Sequence, residues 1–170
     1  LVDGLGWRFI ERFQDAPFLQ RLTRGGMLEK LTSQFPSTTA AHLPTIHTGL
    51  PVGASGVFEW FYYEPLVDRL IAPLLFSFAG DKERDTLRSL VDAKKLYPTK
   101  TFYNQLAESG VESHLFGLRE FTPSTYGNVA ANGAKFDSFK TLSEALVNAG
   151  IMLEKQVKPI YLHLYFDRID

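Results

Sequence analysis

Oxygen-bearing side chains stand at three places where the sequence predicts the end of a strand or the start of a helix. Asp3 follows the first apolar residues, a Ser-Thr-Thr triplet ends at Thr39, and Asp167 and Asp170 follow the last apolar segment. In parallel α/β sheets, ligands bind beyond the carboxyl ends of the strands. Carboxylates and a hydroxyl that converge at such an edge suit divalent metal ions. These residue types at strand and helix ends therefore indicate a site for a divalent metal ion.

The hydroxyl segment, residues 35–50, is the most informative of the three. Its serine and threonines precede a run of small residues that predicts a helix ending at Gly49. The free N–H groups and the macrodipole at a helix start would stabilise both an alkoxide and a phosphoryl group. The alternative interpretation is an ordinary helix N-cap, which Ser and Thr also favour. The residue types alone leave both interpretations open.

The rest of the chain must supply a scaffold that brings these groups together. The sequence has 170 residues, of which 45% are hydrophobic and 22% charged, a composition that fits one globular domain. Strand-like and helix-like segments alternate along it, which predicts an α/β fold with a mostly parallel central sheet flanked by helices. Residues 58–98 interrupt the alternation, and we interpret them as a possible insertion or excursion.

Individual segments follow from apolar spacing and from Gly and Pro. The predicted strands are Leu1–Val2, Met27–Thr32, Phe58–Tyr63, Val111–Leu118 and Pro159–Phe166. The predicted helices cover 7–14, 17–25, 39–48, 98–110 and 138–154, and a loop is predicted over 122–134.

Charge and composition exclude several classes of protein. The formal net charge is −1, without the basic excess of a protein that binds polymeric nucleic acid. No apolar stretch approaches the length of a membrane span. The sequence has no cysteine, which excludes disulfides and thiolate metal sites. Localisation stays open, because the sequence begins at Leu1 and a leader peptide upstream remains an alternative. The oligomeric state also stays open.

Three motifs in order resemble the type I phosphodiesterase/nucleotide pyrophosphatase family of the alkaline phosphatase superfamily. They are Asp3-Gly4 after a strand, the Phe-Pro-Ser-x-Thr segment that runs on to Thr-Gly-Leu-Pro at 48–51, and the final Tyr-Phe-Asp-Arg-Ile-Asp at 165–170. The likeness spans the chain from end to end. It implies an alkaline-phosphatase-like fold, of which residues 1–170 would be the N-terminal part of a single catalytic domain, incomplete at the C-terminus.

The resemblance also implies roles for individual residues. Asp3 corresponds to the family's first metal-ligating aspartate, and Thr39 corresponds to its nucleophilic threonine, which also ligates a metal. Thr38 is the alternative nucleophile if the register shifts by one. Asp170 corresponds to the aspartate of an Asp-x-x-x-His metal motif, and Asp167 is the second choice. His42 stands where many relatives have an asparagine that binds the phosphoryl oxygen.

The activity that the resemblance implies is metal-dependent hydrolysis of a phosphodiester or nucleotide pyrophosphate bond through a phosphothreonine. The expected cofactors are two divalent metal ions, zinc first and manganese or magnesium as alternatives, and the expected partner is a small phosphodiester or nucleotide. The family's further histidine ligands would follow Asp170. We therefore expect residues 1–170 alone to carry about half of the ligands and to be inactive, and the complete protein to be an enzyme.

Two other functions remain in view. One is a non-catalytic nucleotide-binding or interaction domain on the same scaffold, which the histidine at position 42 would suit. The other is a different activity of the superfamily, as a phosphomonoesterase, sulfatase or phosphomutase. His47 could face the site or the core, and His114 and His163 lie within predicted strands and are not expected to be ligands. The aromatic run 58–63 is interpreted as core packing or as a surface that stacks on a nucleobase.

Overall fold

A parallel sheet forms the centre of the molecule in the computed structural model, which describes residues 1–169. Strand β4 (Glu112–Leu118) lies in the middle, with β5 (Ala134–Phe139) on one side and β6 (Ile160–Leu164) on the other. Both pairings are parallel. The α/β class, the mostly parallel sheet and the flanking helices predicted from the sequence are confirmed, and they agree with an alkaline-phosphatase-like fold.

Alternate residues of β4 cover the two faces of this sheet, as the period of a strand requires. On one face, Phe116 and Leu118 pack with Phe139 against Ala145 of α7 (Leu142–Lys155). On the other face, Leu115 packs with Tyr103 of α5 (Phe102–Glu108). Helices therefore cover both faces, which is the usual requirement of a parallel sheet.

The segment that carries the triplet forms α3 (Thr39–Thr48) and the short α4 (Val52–Ser55). Gly49 ends α3 with a φ of 73°, a left-handed conformation that glycine adopts without steric cost. Before it come α1 (Trp7–Arg12) and α2 (Pro17–Gly25), neither of which has a buried residue. Helices α1, α2 and α3 lie close to their predicted positions, whereas α4 was not predicted.

An antiparallel meander stands apart from the parallel sheet. It consists of β1 (Tyr62–Glu64), β2 (Arg69–Ala72) and β3 (Ser77–Phe78), with a 3-10 turn between the last two. Its buried side chains share a core with α6 (Thr125–Ala130). That core contains Val57, Tyr62, Ile71, Phe76, Leu87, Ala93, Leu96, Tyr97, Tyr126 and Ala130.

The first residues of the chain lie beside its last strand. Val2 forms a parallel bridge with Phe166, and the Asp3 N–H donates to the Phe166 carbonyl at 2.8 Å. The predicted strand at Leu1–Val2 is thus reduced to a single bridge, which still sets Asp3 directly beyond the carboxyl end of β6.

Besides Leu1–Val2, four predicted segments differ from the structure. The predicted strand Phe58–Tyr63 overlaps β1 only at its last two residues. Residues 27–32 form no strand, and Met27 and Leu31 are largely exposed, because no described segment pairs with them. The predicted loop 122–134 contains α6, which Ser124 caps by accepting from the Gly127 N–H. The predicted helix 138–154 begins only at Leu142, because residues 134–139 are β5.

None of the helices within residues 1–169 has the length and apolar character needed to cross a membrane.

Candidate active site

Thr39 is the first residue of α3 and lies close to Asp3. Its Oγ1 donates to Asp3 Oδ2 at 3.0 Å, although 36 residues separate the two in sequence. The first N–H groups of a helix have no partner within the helix, so this end of α3 carries partial positive charge. A threonine hydroxyl, a carboxylate and a helix N-terminus thus meet at one point.

Asp3 is fixed in this position by three hydrogen bonds. Its Oδ1 accepts from the Gly4 N–H at 3.0 Å, and its Oδ2 accepts from the Tyr165 hydroxyl at 2.5 Å as well as from Thr39. Tyr165 directly follows β6, on the same face as Tyr161 and His163. The sequence pattern did not identify it as a partner of Asp3. The signal that could have found it was its position at the end of the last strand.

Thr38, the alternative nucleophile, caps α3 by position, but its side chain makes no capping hydrogen bond. Its Oγ1 is buried and has no hydrogen-bond partner among the described residues. Thr39, not Thr38, has the hydroxyl that contacts Asp3. Of the two neighbouring threonines, Thr39 is therefore the one whose hydroxyl lies against the Asp3 carboxylate.

His42 lies one turn into α3, and its ring is held by the backbone. Its Nδ1 is 2.8 Å from the Thr38 carbonyl oxygen, and because a carbonyl only accepts, Nδ1 carries the hydrogen of this bond. In the neutral ring, Nε2 is then an acceptor. His42 can donate to a phosphoryl oxygen only when the ring also carries a proton on Nε2.

Asp167 and Asp170 are the two candidate metal ligands that follow the last strand. Asp170 lies outside the described residues. Asp167 lines the same cavity as Asp3 and Thr39. Its Oδ1 is buried without a hydrogen-bond partner within residues 1–169, and the nearest cation is the Nε atom of Arg168 at 3.8 Å.

A cavity of about 440 Å³ adjoins these groups, between α3, α6, the meander and the parallel sheet. Its lining is mainly apolar and aromatic. The described residues that line it are Asp3, Thr39, Leu43, His47, Trp60, Leu74, Leu75, Leu115, Gly117, Leu118, Phe121, Thr122, Ser124, Tyr126, Gly127, Ala131, Phe136, His163, Tyr165 and Asp167.

Two buried histidines form part of this lining. His47 and His163 are 6% and 7% exposed, and their ring centroids are 5.5 Å apart in an edge-on arrangement. His47 Nδ1 is 2.8 Å from the Tyr103 hydroxyl oxygen, whereas His163 Nε2 has no hydrogen-bond partner among the described residues. Burial, followed by the charge of the neighbouring imidazole, lowers the pKa of His47 to about 3. Burial lowers the pKa of His163 to about 4. His47 thus faces both the core and the cavity.

His114 is not among the described residues that line the cavity, although its neighbour Leu115 is. Its two ring nitrogens are each 2.7 Å from a carboxylate oxygen, one of Glu112 and one of Asp137. These contacts join His114 to its own strand and to β5.

The donor set can be compared with the needs of a divalent cation. Among the described residues, no group of three or more His, Asp or Glu side chains is arranged to hold a metal ion. Asp3 and Thr39 nevertheless present two oxygen donors 3.0 Å apart, and Asp167, whose Oδ1 is buried, lines the same cavity. Oxygen donors in such proximity suit a divalent ion. Asp3, Thr39 and Asp167 therefore fit such an ion as some of its ligands.

The fold and the site can be set beside known proteins. The model of the protein family described as type I phosphodiesterase / nucleotide pyrophosphatase matches residues 1–170. No curated protein and no solved structure matches the chain.

Proposed function

The chain belongs to the type I phosphodiesterase/nucleotide pyrophosphatase family, and on this premise we propose that Thr39 is the nucleophile of a metal-dependent hydrolase. Members of this family hydrolyse phosphodiester bonds and are generally metal-dependent. The bond cleaved would be that of a phosphodiester or a nucleotide pyrophosphate. The observation that carries the proposal is the hydrogen bond from Thr39 Oγ1 to Asp3 Oδ2 at the N-terminus of α3.

In the proposed reaction, Thr39 Oγ1 attacks phosphorus and forms a phosphothreonine. The hydroxyl proton leaves toward Asp3 Oδ2, which already accepts it at 3.0 Å. The bond from phosphorus to the leaving alcohol breaks, and the alcohol departs with the bonding electrons and takes up a proton from water. A water molecule then attacks the phosphothreonine, and the bond from phosphorus to Thr39 Oγ1 breaks. Oγ1 takes back the proton held on Asp3, the attacking water gives one proton to the hydroxide left by the first step, and a phosphate monoester is released.

The N-terminus of α3 supports both steps. Its free N–H groups and its dipole stabilise the negative charge on the phosphoryl oxygens. Tyr165 and Gly4 hold the Asp3 carboxylate in place, so the Thr39 hydroxyl keeps one orientation toward the substrate. His42 would contact a phosphoryl oxygen from the next turn of the helix when its ring is protonated.

We propose Asp3 and Thr39 as metal ligands, with Asp170 as a third and Asp167 as its alternative. The metals would be two divalent ions, zinc first and manganese or magnesium as alternatives. A bound divalent ion would lower the pKa of the Thr39 hydroxyl and stabilise developing charge on oxygen.

The proposal is tested by hydrolysis of a chromogenic phosphodiester by the full-length protein. Thr39→Ala should lower kcat at least about a thousandfold, because it removes the nucleophile. Thr45→Ala is the matched control, since Thr45 lies on the same helix and hydrogen-bonds Gln34. Prolonged dialysis against a chelator should abolish turnover, and added zinc, manganese or magnesium should restore it. Turnover that survives in Thr39→Ala refutes the nucleophile assignment.

The class of ester is settled in the same assay. Rates for a diester, a monoester and a sulfate ester of the same phenol distinguish a phosphodiesterase from a phosphomonoesterase or a sulfatase. A diester rate that exceeds both others supports the proposal.

A further inference from the structure

The cavity beside Thr39 has the properties of a binding site for part of a substrate. It has a volume of about 440 Å³, and Asp3 and Thr39 form part of its wall. We propose that it binds an uncharged, largely apolar alcohol component of the phosphodiester, with the alcohol oxygen or a second hydroxyl hydrogen-bonded within it. This inference rests on the proposed function for the phosphodiester, and it adds the class of substituent that the site accepts.

Size and lining support an apolar occupant. A water molecule occupies about 30 Å³ in the liquid, and a methylene group is of similar size, so the cavity has room for a substituent of about ten or more heavy atoms. Leu43, Leu75 and Leu115 line it from α3, the meander and β4, and Phe136 lines it from β5. Each methylene that moves from water into such surroundings contributes a favourable transfer free energy.

Besides Asp167, two residues in the wall of the cavity carry a buried polar atom without a hydrogen-bond partner among the described residues, so an occupant with a hydroxyl group suits this wall. The Tyr126 hydroxyl and His163 Nε2 are buried and have no hydrogen-bond partner within residues 1–169, and both residues line the cavity. Leaving such atoms unpaired is unfavourable. A hydroxyl group on the ligand can both donate and accept, and it would satisfy either atom.

The charges of the lining disfavour a ligand with an additional phosphate in the cavity. No Lys or Arg is among the described residues that line it, whereas Asp3 and Asp167 are. The low pKa values of His47 and His163 keep both rings neutral above pH 5. A nucleoside, whose base and sugar carry many polar groups, suits this mainly apolar lining less well than an apolar alcohol.

The experiment measures binding of uncharged alcohols, which needs neither metal nor turnover. Trp60 lines the cavity, and Trp7 lies on α1 outside it. The sequence has two tryptophans, so Trp7→Phe leaves Trp60 as the fluorescent reporter. We expect a saturable fluorescence change with 1-hexanol. The Kd should fall about fourfold for each methylene from 1-propanol to 1-hexanol. Adenosine and inorganic phosphate serve as comparison ligands.

Paired variants show whether binding occurs in this cavity. Leu75→Phe fills part of it and should raise the Kd for 1-hexanol at least about tenfold. Leu70→Phe places the same change on the exposed face of β2 and should leave the Kd unchanged. Tyr126→Phe removes one unpaired hydroxyl without changing the volume, and should raise the Kd roughly fivefold if the alcohol bonds to it. The urea midpoint of each variant verifies that it folds. If Leu75→Phe does not fold, Tyr126→Phe provides the test of the cavity.

Three results would contradict an apolar alcohol site in this cavity. An absence of saturable binding of 1-hexanol, a lower Kd for adenosine, or equal effects of Leu75→Phe and Leu70→Phe would overturn it. The proposed function fails separately, through Thr39-independent hydrolysis. Alcohol binding without Thr39-dependent turnover would support the cavity as a binding site and reject Thr39 as the nucleophile. Thr39-dependent turnover without alcohol binding would support the nucleophile and reject the cavity as an alcohol site.

Discussion

The buried pair His47 and His163 should make the protein less stable at mildly acidic pH. Burial lowers their pKa values to about 3 and about 4 in the folded state, whereas an unfolded histidine has a pKa near 6.5. Below pH 6.5 the unfolded chain therefore binds protons that the folded chain does not. The free energy of unfolding is fully retained above pH 6.5 and falls as the pH drops toward the folded values.

The size of the effect follows from the interval between pH 5 and pH 6.5. Each pH unit contributes about 1.4 kcal/mol per titrating group, so each histidine lowers the free energy of unfolding by about 2 kcal/mol between pH 8 and pH 5. Together they amount to about 4 kcal/mol, a large share of the 5–15 kcal/mol that is usual for a domain. Carboxylates contribute little in this interval. Neighbouring donors, Lys135 first for Glu112 and the Lys140 N–H first for Glu144, lower the pKa of both carboxyls further.

Urea unfolding at pH 8 and pH 5, followed by circular dichroism, measures the effect. His163→Phe should reduce the difference between the two pH values by about 2 kcal/mol, because it removes one titrating group while keeping an aromatic ring. The value at pH 8 isolates any packing change, since both histidines are neutral there. If His163→Phe keeps the full pH dependence of the parent protein, a buried neutral His163 is not its cause.

Three further predictions concern single side chains. His42→Asn introduces a donor that needs no protonation, so kcat/KM for a phosphodiester at pH 8 should rise at least about tenfold; an unchanged or lower value would argue against contact between residue 42 and the phosphoryl group. Tyr165→Phe removes one of the hydroxyls that hold Asp3 Oδ2, and it should weaken divalent-metal binding, measured calorimetrically, by about tenfold or more; equal affinity would show that Asp3 needs no such support. Thr101→Val removes the buried N-cap of α5 and its bond to the Asn132 carbonyl; urea unfolding should show a loss of about 1–2 kcal/mol, and a loss below 0.5 kcal/mol would contradict that role.

The sequence predicted the helices with strong local signals. Residues 39–48 have a hydroxyl at the start and Gly49 at the end, and α7 has apolar residues at helical spacing. The short α6 was missed because Gly127 and Asn128 are poor helix formers. Its stability comes from the Ser124 cap and from the burial of Tyr126 and Ala130, which is a tertiary effect.

Strand β5 was missed for a different reason. It pairs with β4 along one side only, and its residues Lys135 and Asp137 are polar. These two side chains pair with Glu112 and His114 of β4. A strand whose polar residues are paired across the sheet carries no continuous apolar run, so the pattern does not separate it from a loop.

For the site, the rule that ligands gather at the carboxyl ends of parallel strands was sufficient to predict that Asp3 and Thr39 lie near each other. It could not predict that Tyr165 shares Asp3 Oδ2 with Thr39, or that His47 and His163 meet in one cavity. Those contacts join residues more than a hundred positions apart, and side-chain geometry alone determines them. The roles of the site residues, Asp170 included, stay predictions.

The bond between Tyr165 and Asp3 spans 162 positions of the chain and closes beside the bridge from Val2 to Phe166. During synthesis, Asp3 and Thr39 leave the ribosome long before the strand that completes their surroundings. Since closing so long a loop is entropically unfavourable until the parallel sheet has formed, the site is assembled among the last events of folding. A nascent or truncated chain that lacks β6 would thus carry Thr39 without the fixed carboxylate beside it, and the candidate site would arise only with a finished fold.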